Sequence, residues 1–186
     1  MKKLSLIFIF FSFILIINIS GQSYTQSTRL GGGISFGTGC EYHHVHTGNP
    51  GIRVIGIHDF TESFKISASF TFFLPEKEDF YDGTRSSTLW MVDLEGQYFL
   101  YSHDKFLFYA VGGLSTTGLN SNYKGESPDI YPDYSDQAIG LNLGARANLP
   151  YNETMIFFGE IKYVAGKYHQ FIVSVGALMT FAKRTE

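Results

Sequence analysis

Phe64-Lys65-Ile66-Ser67-Ala68-Ser69-Phe70-Thr71-Phe72 alternates without a break. Phe64, Ile66, Ala68, Phe70 and Phe72 fall on one face, and Lys65, Ser67, Ser69 and Thr71 on the other. Successive side chains of a strand point to opposite faces, so this period of two predicts a β-strand with one apolar side. Ile139–Leu149 repeats the pattern: Ile139, Leu141, Leu143, Ala145, Ala147 and Leu149 oppose Gly140, Asn142, Gly144, Arg146 and Asn148. In Met155–Tyr163, Phe157 and Ile161 share a face, and Glu160 and Lys162 share the other. In Phe171–Phe181, Val173, Val175, Met179 and Phe181 oppose Ser174, Gly176 and Thr180.

Four further strands are predicted. Leu30–Cys40 sets Leu30, Ile34 and Phe36 against Gly31, Gly33 and Ser35, and Trp90–Leu100 sets Trp90, Val92 and Leu94 against Asp93, Glu95 and Gln97. Gly51–Asp59 and Phe106–Ser115 are apolar on both faces, so alternation leaves their two sides unassigned. Strands of 9–11 residues suit a tilted bilayer crossing. Connections run long, short, long: Cys40–Pro50, Phe60–Ser63, Pro75–Ser87, Tyr101–Lys105, Thr116–Gln137, Pro150–Thr154 and Gly166–Gln170. Such alternation marks an antiparallel barrel with long loops outside and short turns in the periplasm.

Composition fits that reading. The chain has 186 residues, enough for one domain, with 18 Phe, 12 Tyr and 20 Gly but only 17% charged residues. Fourteen Lys+Arg against 17 Asp+Glu, with no basic stripe, exclude a nucleic-acid binder. Lys2 and Lys3 precede Leu4–Ile17, a 14-residue run that is apolar apart from serine, and Ser20-Gly21 follows. Residues 1–21 are therefore expected to be a signal peptide and residues 22–186 the barrel domain. The run is short for a spanning helix, which needs about 20 residues. With its two lysines removed, the mature chain would carry 12 basic and 17 acidic residues, net −5. Cys40, the sole cysteine, cannot form an internal disulfide.

The strands, their spacing and the final Ser174-Val175-Gly176-Ala177-Leu178-Met179-Thr180-Phe181 resemble the small eight-stranded outer-membrane barrels of the OmpA/OmpX type. Within them, the chain is similar to the outer membrane β-barrel domain family widespread in Bacteroidota. The resemblance implies an all-β, eight-stranded, antiparallel up-and-down transmembrane β-barrel. It implies residence in the bacterial outer membrane as a monomer among outer-membrane lipid and lipopolysaccharide. It further implies that Ser174, Gly176, Met179 and Phe181 form an assembly signal for the barrel-assembly machinery. The tail Ala182–Glu186 departs from a family that often ends on the aromatic itself.

A soluble barrel of lipocalin type also alternates, but its polar face meets water and is rich in Lys and Glu. Here that face is mostly Gly, Ser, Thr and Asn. Tyr42, Phe72, Trp90, Tyr98, Tyr151 and Tyr163 lie near strand ends, as an interfacial girdle requires.

Parity places Lys65, Asp93, Glu95, Arg146, Glu160 and Lys162 in one lumen, three acids facing three bases. A gate or a catalytic carboxylate pair is one reading; a structural salt-bridge plug is the other, and the narrow interior of eight strands favours it. Cys40, His43, His44 and His46 crowd one loop, yet His44 and His46 alone share a face of an extended segment, so an ordinary polar loop is expected. A lipid-A-modifying enzyme would need a Ser–His pair at the outer rim. His169 and Ser174 match no such motif, His103 falls in a short turn, and His58 lies near the turn end of its strand. One long loop contains Asp129, Asp133 and Asp136 with Tyr123, Tyr131 and Tyr134, and another Glu76, Glu78, Asp79 and Asp82. Acid clusters can hold Ca²⁺ through oxygen ligands, but no EF-hand spacing is present, so solvated acidic loops are expected; their exposed tyrosines suit contact with an extracellular partner. No catalytic residue, cofactor or metal-ligand set is assigned. Function is expected to be structural, or recognition through the loops.

If the last strand carries the assembly signal, Phe181→Ala should lower the yield of folded barrel in the outer membrane. Wild-type yield by heat-modifiability gel of membrane fractions would contradict that role.

Overall fold

The computed structural model describes residues 25–39, 50–81, 83–125 and 133–185. Its strands, in chain order, are β1 (Thr25–Gly37), β2 (Pro50–Asp59), β3 (Phe64–Phe73), β4 (Glu76–Phe80), β5 (Gly83–His103), β6 (Phe106–Gly125), β7 (Tyr134–Pro150), β8 (Met155–Ala165) and β9 (Gln170–Thr185). All are antiparallel to their neighbours, in the order β3-β2-β1-β9-β8-β7-β6-β5-β4, and β3 also pairs with β5. That pairing closes an eight-stranded barrel and leaves β4 outside the wall.

The burial is inverted relative to a water-soluble barrel. On β3 the polar residues Lys65, Ser67, Ser69 and Thr71 are buried, whereas Ile66 and Phe70 are 40% and 45% exposed. Leu30, Ile34, Val92, Leu94, Leu141, Leu143, Ile161 and Val175 are likewise outward and exposed. Such a surface is stable only against hydrocarbon. Aromatic side chains border it. At the turn end Tyr101 stacks on Phe108 with centroids 4.8 Å apart, and Tyr151 meets Phe157 edge-on at 5.8 Å. At the loop end Tyr163 lies 4.8 Å from Phe171.

Two glycine positions shape the wall. Gly33 faces Gly176 across the β1–β9 seam, and a Cβ on Gly33 would sit 2.1 Å from the Val175 carbonyl oxygen. The seam therefore coils more tightly than side chains permit. Gly118 lies opposite Trp90, whose ring would be 2.2 Å from an added Cβ; the indole covers the backbone that the glycine leaves bare. The short turns carry their own chemistry. Asp104 adopts φ 51° in the β5–β6 turn, and Asn152 Oδ1 accepts bonds from the Thr154 and Met155 amides at 2.9 and 2.7 Å.

β5 and β6 are twice the predicted length. The expected loop Thr116–Gln137 is strand as far as Gly125 and again from Tyr134, and the expected loop Pro75–Ser87 contains β4. Beyond the membrane a strand needs no lipid-facing side. Thr117, Leu119, Ser121 and Tyr123 still turn inward there, but their outward neighbours are polar. Together β4 and the outer halves of β5, β6 and β7 make a sheet that rises from the loop end.

Leu143 is 72% exposed at mid-strand, between Gly112 and Tyr163. Leu143→Arg should cost about 2–4 kcal/mol in urea titrations of the protein folded into phospholipid vesicles. Unchanged stability would contradict its lipid-facing position.

Candidate functional site

The mid-lumen is filled by charges from four strands. Lys162 of β8 donates to Asp93 Oδ2 at 2.7 Å and to Glu95 Oε1 at 2.8 Å, both on β5. Arg146 of β7 faces Glu160 of β8 in register and donates from Nε to Glu160 Oε2 at 2.8 Å. Arg53 of β2 donates to the other Glu160 oxygen, to Ser69 at 3.0 Å and to Glu95 at 3.4 Å. Asn142 adds a bond to Glu95 Oε1 at 3.1 Å, and Ser69 one to Asp93 at 3.1 Å. Three cations thus meet three carboxylates, all at most 3% exposed. Each charge is paired and hydrogen-bonded, as burial demands.

Apolar side chains close the lumen above this layer. Phe73, Leu89, Met91, Leu119, Val164, Tyr168 and Ile172 form one buried cluster at the loop end. Ile55, Ile57, Phe158 and Leu178 form a second, toward the turns. Below it Asp59 accepts from Arg29 at 2.7 Å and from Lys65 at 3.1 Å, with Ser27 on its other oxygen. Lys65 also lies over the Tyr109 ring, 5.1 Å from its centroid.

A closed eight-stranded antiparallel barrel agrees with its relatives. The outer membrane protein beta-barrel domain profile matches residues 11–177. The chain belongs to the outer membrane protein β-barrel domain family. Neisserial surface protein A superposes with a TM-score of 0.62 at 10% identity, covering 85% of this chain and 99% of that one. OprG of Pseudomonas aeruginosa gives 0.61 at 11% identity, covering 88% and 99%. Ail, the attachment invasion locus protein of Yersinia pestis, gives 0.57 at 13% identity, covering 86% and 100%. At these identities the likeness concerns the fold. Among curated proteins no sequence matches the chain. This outer-membrane barrel therefore takes its place in the outer membrane on its family and its fold.

Five of the six charges expected in one group come together in the barrel: Asp93, Glu95, Arg146, Glu160 and Lys162. Lys65 does not join them. It sits near the turns with Asp59 and Arg29, and Arg53 supplies the third base of the central group. Arg53 and Asp59 were missed because β2 reads as apolar on both sides, and Arg29 because it precedes the expected start of the first strand at Leu30. Arg53 itself was the available signal, since a charge at mid-strand cannot face hydrocarbon.

On β9, Ser174 points into the lumen and bonds Ser35 at 2.8 Å, and Gly176 faces Gly33. Met179 and Phe181 are exposed on the lipid side. The Ser174 hydroxyl is thereby engaged with Ser35 and Arg53, while His169 is exposed; no hydrogen bond joins the two among the described residues. His103 is exposed beside Asp104, and His58 bonds Thr28 on the outer face. Cys40, His43, His44, His46, Tyr42, Asp82, Asp129 and Tyr131 lie outside the described residues. Within those described, no cluster of three His, Cys, Asp or Glu side chains could hold a metal.

The outer sheet gathers the acids expected in loops. Glu78 and Asp79 are exposed on β4, and Asp79 accepts from Thr84 at 2.9 Å. Asp133 accepts from the Tyr123 amide at 2.9 Å, which draws β6 and β7 together above the wall. Asp136 holds Lys167 at 2.5 Å and the Tyr168 hydroxyl, tying β7 to the β8–β9 turn. The hydrogen bond from Lys167 keeps the Asp136 carboxyl below its ordinary range. Stability from this contact is complete above that range and is lost only as pH falls through the lowered value.

Glu160 is shared by Arg53 and Arg146, so Glu160→Gln should cost about 3–5 kcal/mol by stranding buried cations. Arg146→Met should cost less, because Arg53 still neutralises Glu160. The double variant should recover part of the summed loss in a double-mutant cycle of unfolding; simple additivity would show that the pair is not coupled.

Proposed function

We propose that this barrel is a non-enzymatic outer-membrane protein that recognises a partner at the cell surface through the sheet formed by β4 and the outer halves of β5, β6 and β7. The observation that carries this reading is the β5–β6 hairpin, which continues beyond the wall and gains β4 as a further strand. Among the described residues β4 pairs with β5 and ends the sheet order, so the hairpin stands beyond the wall as an added surface. An occluded lumen argues against solute passage as the activity.

The sheet and its connections are acidic. Residues 75–87 and 116–137 contain Glu76, Glu78, Asp79, Asp82, Glu126, Asp129, Asp133 and Asp136 against Lys77, Arg85 and Lys124. One structure of Ail is in complex with the heparin analogue sucrose octasulfate. The acidic excess here favours the opposite chemistry, a basic protein surface. Tyr81, fully exposed at the hairpin tip, supplies an aromatic contact.

Residues 1–21 direct export and residues 22–186 form the barrel. Ser174, Gly176, Met179 and Phe181 are read by the barrel-assembly machinery on the strand that must close against β1. The folded barrel stands as a monomer in lipopolysaccharide and lipid, because closure leaves no open strand edge within the membrane.

Vesicles carrying the barrel should bind a surface coated with the basic protein cytochrome c more than one coated with heparin, and high salt should abolish the difference. Glu76→Gln, Glu78→Gln and Asp79→Asn together should weaken that binding severalfold without altering heat modifiability. Preference for heparin, or release of acyl chains from lipopolysaccharide, would overturn the proposal.

A further inference from the structure

A cavity of about 340 Å³ lies at the turn end of the lumen, on the far side of the charge layer from the outer sheet. Arg29, Lys65, Tyr109, Asn148, Leu107 and Ile156 are among the residues that line it. Three features of it together suit a ligand. The first is charge. The central group balances three cations with three carboxylates, but here Arg29 and Lys65 share the single carboxylate of Asp59. Among the described residues one positive charge is left over, in a site where Lys65 is 8% exposed. A buried cation without its own counter-charge is costly, and an anion from outside would remove that cost.

The second feature is unmet hydrogen bonding. Among the described residues, Arg29 Nε and Asn148 Oδ1 are buried with no partner, and Asn148 is only 3% exposed. The first can donate to an anion; the second can accept from a hydroxyl or amine. The third feature is shape. Leu107, Pro150 and Ile156 give the cavity apolar walls, and the Tyr109 ring lies beneath Lys65. The volume suits a molecule of about ten non-hydrogen atoms. Glu153 of the β7–β8 turn also lines the cavity and is exposed; it forms no ion pair with Arg29 or Lys65 among the described residues.

We infer that this cavity binds a small organic carboxylate that has an apolar body and a hydrogen-bond donor, entering from the side of the short turns. Its carboxylate would meet Arg29 and Lys65, its donor Asn148 Oδ1, and its body Leu107, Ile156 and Tyr109. The apolar cluster at the loop end blocks the opposite exit, so the site is a blind pocket and not a stage in transport.

The test uses 4-hydroxybenzoate as probe and the full barrel folded in nonionic dodecyl maltoside micelles, followed by NMR shifts of the Asn148 side-chain amide. Saturable binding is expected. It should weaken about tenfold or more with Lys65→Met or Arg29→Gln, and similarly for the uncharged probe 4-hydroxybenzamide on the wild-type protein. Glu153→Gln should leave the affinity equal or higher. No saturable shift with the wild type, or equal affinity for the acid and the amide, would overturn the inference. The comparison of the two probes requires no variant to fold; heat modifiability certifies the variants that do.

Discussion

Inside a bilayer no water is present to satisfy a peptide N–H or C=O, so a strand that enters lipid must be paired along both edges. Everything else in this barrel follows from that constraint. β1 meets β9 from Thr25↔Thr185 to Gly37↔Ile172, and β3 meets β5 from Phe64↔Tyr98 to Phe72↔Trp90; these two ladders complete the circle. Closure at eight strands fixes the diameter, and a ring of that size leaves room for side chains and little more. The lumen must then be packed as a protein core, although half of each strand's residues must face it and the other half must face lipid.

The consequence is a core with its polarity reversed. Leucine, isoleucine and phenylalanine cover the outside, while arginine, lysine and carboxylates sit where a soluble protein keeps its aliphatic side chains. Such charges are tolerated because they neutralise each other at hydrogen-bonding distance. Lys162 bridges Asp93 and Glu95, and Glu160 bridges Arg53 and Arg146. The network joins β2 and β5 to the β7–β8 hairpin, which lies far from both in sequence. It ties the circle across its diameter as the ladders tie it around its circumference. Where balance fails, at Arg29, Lys65 and Asp59, the lumen also holds a cavity.

Much of this was legible in the sequence wherever one face of a strand is apolar and the other is not. β3, β7, β8 and β9 declared their inner and outer sides residue by residue. β2 did not, because its inner face uses Ile55 and Ile57 to pack against Phe158 and Leu178, so both faces read alike. The outer halves of β5 and β6 read as loops for the opposite reason. Above the membrane neither side needs to be apolar, and Asn120, Asn122 and Lys124 occupy positions that aliphatic residues fill lower down. Pairing across the lumen lay beyond the sequence altogether. Lys162 and Asp93 are 69 residues apart, and only closure brings them within 2.7 Å.

The central claim is that closure produces a lumen occupied by its own neutralised charges and capped by apolar side chains. Single-channel recording of the purified protein in planar bilayers tests it most directly. The account predicts no stable conductance of porin size. A steady, long-lived open channel in the wild-type protein would show that the charged layer lines a path and does not block one.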